Sequence, residues 1–155
     1  MNNVLEFMGK DHDRLDGIFK DFRSEIKKDI SKAKQLFHDF KTGLQKHVVW
    51  EEEILFPIFE NKTGMFDEGP TVVMRMEHCQ IKDFLEKIHE RIIKGNCDVE
   101  SLQNSLIEVL TEHNNKEESI LYPWIDKETS ELERQEAFAK MKNLSPEKYC
   151  KCCGE

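Results

Sequence analysis

His47 and Glu51 stand four positions apart, and so do His113 and Glu117. On a helix that spacing puts both side chains on one face, about 6 Å apart along the axis. Each pair falls on an apolar stripe that a helix would turn inward, and His12 and His78 lie on two further stripes of the same kind. A carboxylate buried there without a partner would lose solvation or be driven to protonate, so something must compensate two such charges. Four His and two Glu at one level of a helical bundle are the donor types of a dinuclear iron or manganese site, with carboxylates bridging two ions.

Six donors exceed the set that one tetrahedral zinc uses. The expected arrangement gives each ion two imidazoles, with Glu51 and Glu117 bridging and an oxo, hydroxo or water ligand completing the bridge. Each ion is then about five-coordinate, which leaves a position for a small ligand. Spacing leaves open which histidines share an ion. Met8, Leu44, Met74 and Leu110 lie one turn from these donors on the same stripes and are expected to form an apolar wall that limits what enters.

Four long helices must position these residues. The first is expected over about 3–29, with Asn3 and Glu6 as its start signal and the stripe Leu5, Met8, His12, Leu15, Phe19, Phe22, Ile26. The second, capped by Ser31, carries Leu36, Phe40, Leu44, His47, Glu51, Leu55 and Ile58, and Pro57 is expected to kink or shorten it. A loop over 62–69 ends at Pro70, a good first helical residue. The third helix then carries Thr71, Met74, His78, Ile81, Leu85, Ile88 and Ile92, and stops near Gly95. Asp98 is the expected cap of the fourth, with the stripe Leu102, Leu106, Leu110, His113, Glu117, Leu121, Trp124. A short fifth helix follows Thr129 and Ser130, from Glu131 to about Asn143.

Shifted by 66 residues the chain superimposes on itself: His12 on His78, His47 on His113, Glu51 on Glu117, and EEEILFPIF on EESILYPWI. The halves read as repeated helical hairpins. Neither could bury its stripe alone, so an all-α four-helix bundle about a pseudo-twofold axis is expected. Residues 1–143 form this domain with its short C-terminal helix, and 144–155 a flexible Cys-rich tail.

At 155 residues with only 7 Gly and 4 Pro, one compact domain is the default. A net charge of −8 without a basic cluster excludes nucleic acid as a partner. No stretch approaches the roughly 20 apolar residues of a membrane span, and the N-terminus lacks a basic region followed by an apolar block, so a cytoplasmic protein without a membrane partner is expected. Five cysteines, an odd number, do not resemble a secreted disulfide framework, and reduced thiols are expected.

The motifs HDRL at His12, HVVWEEEILFP at His47, EH at Glu77 and HNNKEESILYP at His113 resemble the hemerythrin-like family, also called the HHE cation-binding domain. The resemblance covers roughly the first 126 residues. It implies a non-haem diiron centre in an up-down-up-down bundle, with His12, His47, His78 and His113 as terminal ligands and Glu51 and Glu117 as bridges. Two iron ions are the implied cofactor, with manganese and zinc as the alternatives. The oxygen-carrying hemerythrins have two His four apart on the third helix, where this chain has Met74 or Lys82 beside His78. Their fourth helix bridges through an Asp five residues after its His, whereas Glu117 follows His113 by four. The four-His, two-Glu set is more similar to the diiron proteins linked to iron-sulfur cluster repair.

Other candidates read as structural. His38 faces away from the stripe and His89 lies three turns beyond His78. Trp50 is expected to pack against a neighbour, and Glu52 and Glu53 to be solvated. Cys79 is expected to pack beside the stripe. Cys150, Cys152 and Cys153 stand equally as an incidental tail and as a contact for a thiol or iron-sulfur protein partner. Three functions fit the donor set: binding or reaction with oxygen, nitric oxide or peroxide; cluster repair or iron donation under oxidative or nitrosative stress; and a metal-dependent iron or oxygen sensor.

Overall fold

The computed structural model describes residues 3–145, and among them every regular element is helical. Helix α1 spans Val4–Glu25, α2 Ile30–Trp50, α3 Phe56–Thr63, α4 Pro70–Ile93, α5 Glu100–Lys116, α6 Tyr122–Glu128 and α7 Glu131–Lys142. A π-helical turn over Glu51–Leu55 joins α2 to α3 in one rod, and another over Glu117–Leu121 joins α5 to α6. The described residues therefore form five rods. Helix α1 packs along α2, α4 packs along α5, and α6 crosses to α1, as expected of hairpins that bury their stripes against each other. No helix of the described residues is long and apolar enough to cross a membrane.

The start of α1 is as its sequence suggests, with the Asn3 side chain accepting the Glu6 amide at 2.7 Å. Helix α2 instead takes its cap from Asp29, which accepts the Lys32 amide, so Ser31 lies inside the helix. Asp98 does not cap α5: Val99 precedes the helix without a side-chain cap. Ser130 and Glu133 form a reciprocal capping box at α7. Gly64, at φ 77°, closes α3, and Pro70 opens α4.

The π turns change which residues face inward. An α-helix advances 100° per residue, and one extra residue in a turn shifts the buried set by one. Leu55 with Phe56, and Leu121 with Tyr122, are therefore both buried. Beyond them Phe59 and Ile125 point inward, where Ile58 and Trp124 were expected. Pro57 and Pro123, which lack an N–H, fall just after these interruptions of the regular ladder. Elsewhere Val4 is buried and Leu5 exposed, and Phe37 and Gln103 are buried beside the half-buried Leu36 and Leu102.

Two apolar clusters sandwich the six His and Glu positions. One holds Leu15, Phe19, Phe22, Phe40, Leu44, Ile81 and Leu110, and the other Val4, Met8, Phe56, Phe59, Met74, Leu121 and Tyr122. The expected wall is thus split: Met8 and Met74 close the polar layer at one end, Leu44 and Leu110 at the other. Asp126 at the end of α6 accepts the amides of Val4 at 2.6 Å and Leu5 at 3.1 Å, tying the second hairpin to the orphan donors of α1. His38 is exposed, His89 stacks on Phe37, and Trp50 packs against Phe7. Cys97 is a free thiol. Cys79 is exposed and disulfide-bonded, not packed and reduced as expected. Cys150, Cys152 and Cys153 lie outside the described residues.

Candidate metal centre

Each inner carboxylate is the first residue of a π turn, Glu51 in one rod and Glu117 in the other. His47 and His113 end the α-helices just before them, while His12 and His78 sit inside α1 and α4. All six side chains are buried. The imidazoles pair by hairpin: His12 and His47 have ring centroids 4.6 Å apart, and His78 and His113 4.8 Å. The carboxylates lie between the pairs. Glu117 Oε1 is 3.3 Å from His12 Nε2 and 3.2 Å from His113 Nε2. Glu51 Oε1 is 3.3 Å from His78 Nε2 and 3.7 Å from His47 Nε2.

Two groups of donors result, with atoms within 4.8 Å of one another: Glu51, His78, His113 and Glu117, and His12, His47 and Glu117. Glu117 belongs to both. The donor set fits metal on a further observation. Among the described residues, buried side-chain polar atoms with no hydrogen-bond partner include Glu51 Oε1, His78 Nε2 and both oxygens of Glu117. Orphaned buried groups carry a desolvation cost of about 1–3 kcal/mol each, and a cation among them would satisfy all four.

A second ring of carboxylates orients the imidazoles. His47 Nδ1 pairs with Asp11 at 2.8 Å, His113 Nδ1 with Glu77 at 3.0 Å, His78 Nδ1 with Glu52 at 2.5 Å, and His12 Nδ1 with Glu118 at 3.3 Å. A proton on each Nδ1 donated outward leaves Nε2 free to face the centre, the usual way a protein fixes a ligating tautomer. Each outer carboxylate neighbours one inner residue in sequence and grips an imidazole from another helix. The offset of 66 pairs Asp11 with Glu77 and Glu52 with Glu118, so the repeat held the signal for all four. Glu52, expected in solvent, is instead 18% exposed and holds His78.

Tyr122 also belongs to this layer, though spacing did not single it out. Its hydroxyl donates to Glu51 Oε2 at 2.8 Å and lies 3.2 Å from His47 Nε2 and 3.4 Å from His12 Nε2. The π turn brings it inward. Its counterpart in the other half is Phe56, stacked on His78 at 5.9 Å with planes 8° apart.

The charges are strongly interdependent. Burial alone would lower the histidines, but the carboxylates beside them prevail. Glu117 raises His12 to about 9, and Glu51 with Glu52 raises His78 to about 10. His113 is raised by Glu117 in the same way. Burial and the Glu117 charge push Glu51 up, whereas His113 holds Glu117 well below the usual carboxylate range despite its burial. Burial, reinforced by Glu117 and Glu51, keeps the Tyr122 phenol protonated. In the outer ring burial would raise Asp11 and Glu77, yet His47 lowers the first, and Lys116 with His113 the second.

The model of the hemerythrin HHE cation binding domain matches residues 3–125. The chain belongs to the hemerythrin HHE family. It is 27% identical over 151 residues, 94% of this chain and 72% of the relative, to an uncharacterized hemerythrin-like protein of Schizosaccharomyces pombe. It is also 29% identical over 110 residues to the iron-sulfur cluster repair protein YtfE of Escherichia coli, and 28% identical to that of Escherichia fergusonii, each time over 65% of this chain. The match spans 49% of YtfE, so this hemerythrin-like chain covers about half the length of those relatives. No solved structure gives a significant match.

Proposed function

We propose that this hemerythrin-like chain is a non-haem diiron protein that binds or reacts with a small ligand such as oxygen, nitric oxide or peroxide. The observation that carries the reading is the pair of buried donor groups that share Glu117, one of which also contains Glu51. In this reading the bundle is up-down-up-down. His12 and His47 would hold one ion and His78 and His113 the other, with Glu51 and Glu117 as the carboxylates that would be shared between them. Two iron ions held there would supply redox chemistry toward a small ligand.

The chain supplies the rest. Asp11, Glu52, Glu77 and Glu118 fix the imidazole planes, so little reorganisation is needed when a ligand arrives. Met8, Met74, Leu44 and Leu110, all buried, keep bulk water out and restrict entry to small molecules. Tyr122 places one O–H donor in an otherwise apolar wall, aimed at Glu51. The test is the visible spectrum of reduced, iron-loaded protein before oxygen exposure, during it, and after oxygen is withdrawn. A new band that requires two ions per chain supports the reading, and an unchanged spectrum overturns it. Reversal on withdrawal marks a carrier or sensor, and irreversible ferric conversion marks turnover or detoxification.

The likeness to YtfE favours a second reading, iron-sulfur cluster repair or iron donation under oxidative or nitrosative stress. Restoration of activity to a damaged iron-sulfur enzyme by the loaded protein, beyond that given by free iron, would distinguish it from ligand binding alone.

A further inference from the structure

The two halves of the centre repeat in kind at their six inner residues, and two of the places where they differ set the His12 side apart. The first is Tyr122 in place of Phe56. One hydroxyl lies within 3.4 Å of His12 Nε2 and His47 Nε2 while it donates to Glu51 Oε2, so both imidazoles of the His12/His47 position have a hydrogen-bonding partner. Phe56 offers none. Of the atoms left without a partner, His78 Nε2 and Glu51 Oε1 belong only to the donor group that contains His78 and His113, while both Glu117 oxygens belong to that group and to the His12/His47 group. Losing an ion therefore exposes more uncompensated polar atoms there than at the His12/His47 position.

The second difference is Gly9 where the repeat has Arg75. Arg75 lies over the Phe56 ring at 5.3 Å and donates to Glu60 at 3.2 Å. Its positive charge and bulk cover the side on which Glu52, 18% exposed, grips His78. At the matching place Gly9 carries no side chain, and the Glu118 carboxylate packs over it. A Cβ there would come 3.2 Å from Glu118 Oε1, and Glu118 is 39% exposed. Its hold on His12 is also longer, 3.3 Å against 2.5 Å for Glu52 and His78. A cation approaching from water thus meets an exposed carboxylate on one side and a guanidinium on the other.

Resting on the dinuclear reading above, we infer that the two metal positions are unequal. The His78/His113 position retains its ion, while the His12/His47 position exchanges its ion with solvent past Gly9 and Glu118, braced between ions by the Tyr122 hydroxyl. This makes one half of the centre a divalent-cation exchange site, the property an iron donor or an iron-responsive protein would need.

The test is ion release from protein loaded with cobalt(II), challenged with excess chelator and followed by absorbance. The native chain should release two ions in two phases of equal amplitude, about tenfold or more apart in rate. Gly9→Arg should slow the fast phase and spare the slow one, and Arg75→Gly should speed the slow phase. Circular dichroism checks that Gly9→Arg folds; if it does not, Arg75→Gly decides. Tyr122→Phe should hold the exchangeable ion more tightly, because the ion-free position loses its brace. Weaker retention in that variant would make the phenol a metal ligand and overturn the bracing role. A single release phase in the native chain, or two phases that neither portal variant alters, overturns the inference. Uptake of fewer than two ions overturns the dinuclear reading itself.

Discussion

Asp11 Oδ2 lies 2.8 Å from His47 Nδ1, so the residue just before His12 in α1 sets the orientation of an imidazole in α2. The same relation recurs between Glu77 and His113. Each hairpin is thereby cross-linked at the level of the centre, which makes the outer carboxylates part of its affinity as well as of its stability. Asp11→Asn keeps shape but removes the charge that supports the His47 tautomer. It should weaken metal binding by about 10- to 100-fold, with helicity unchanged. Competitive titration against a chelator indicator checks this, and native affinity in the variant would remove Asp11 from the supporting ring.

The inner carboxylates should behave differently from the outer ones. Glu51→Ala and Glu117→Ala each delete a group placed between the two imidazole pairs, so each should bind fewer than two ions per chain. His38→Ala, which alters an exposed side chain, should still bind two. Elemental analysis of the three variants after identical loading gives the ratio directly, and equal metal content in all three would show that the donors have been misassigned.

Metal uptake should be strongly pH-dependent. In the metal-free protein His12 and His78 titrate near 9 and 10, above the ordinary imidazole value of about 6.5. Their contribution to metal-free stability is therefore fully present below about pH 6.5 and is lost as pH rises through 9 and 10. Metal binding runs the other way, because each ligating Nε2 must give up its proton. Loading at pH 7 should release protons, and apparent affinity should climb between pH 6.5 and 10. Zinc titration in weakly buffered solution with a pH indicator measures both, and uptake without proton release would mean that the histidines are already neutral.

Much of this was legible because a metal centre demands particular residues at particular spacings. The offset of 66 brought the six inner residues together from sequence alone, and the same offset held Asp11, Glu52, Glu77 and Glu118. Glu52 was nevertheless assigned to solvent, because burial arguments rank single residues and do not see an imidazole arriving from α4. The π turns escaped for a different reason. A period of 3.6 carries no mark of one added residue, so it points to Ile58 and Trp124 where Phe59 and Ile125 are buried, and it passes over Tyr122. Helix starts failed where two capping residues competed, as with Asp29 and Ser31 at α2. The pairing of imidazoles by hairpin depends on how the rods cross, which no stripe encodes.

Asp126 separates the stability of the bundle from the assembly of its centre. Its two oxygens accept the Val4 and Leu5 amides, two of the four donors that the start of α1 leaves unpaired, and its charge opposes the positive end of that helix. Asn3 serves the Glu6 amide independently, so one cap remains when the other is lost. Asp126→Ala should therefore cost about 1 kcal/mol. Hydrogen exchange should speed at Val4 and Leu5 and remain slow from Met8 inward. His12 lies two turns beyond the frayed end, and the variant should still take up two ions per chain. Loss of metal together with the first turn would mean that α1 docks as one cooperative unit, and that His12 is positioned by the end of α6 as much as by its neighbours in the layer.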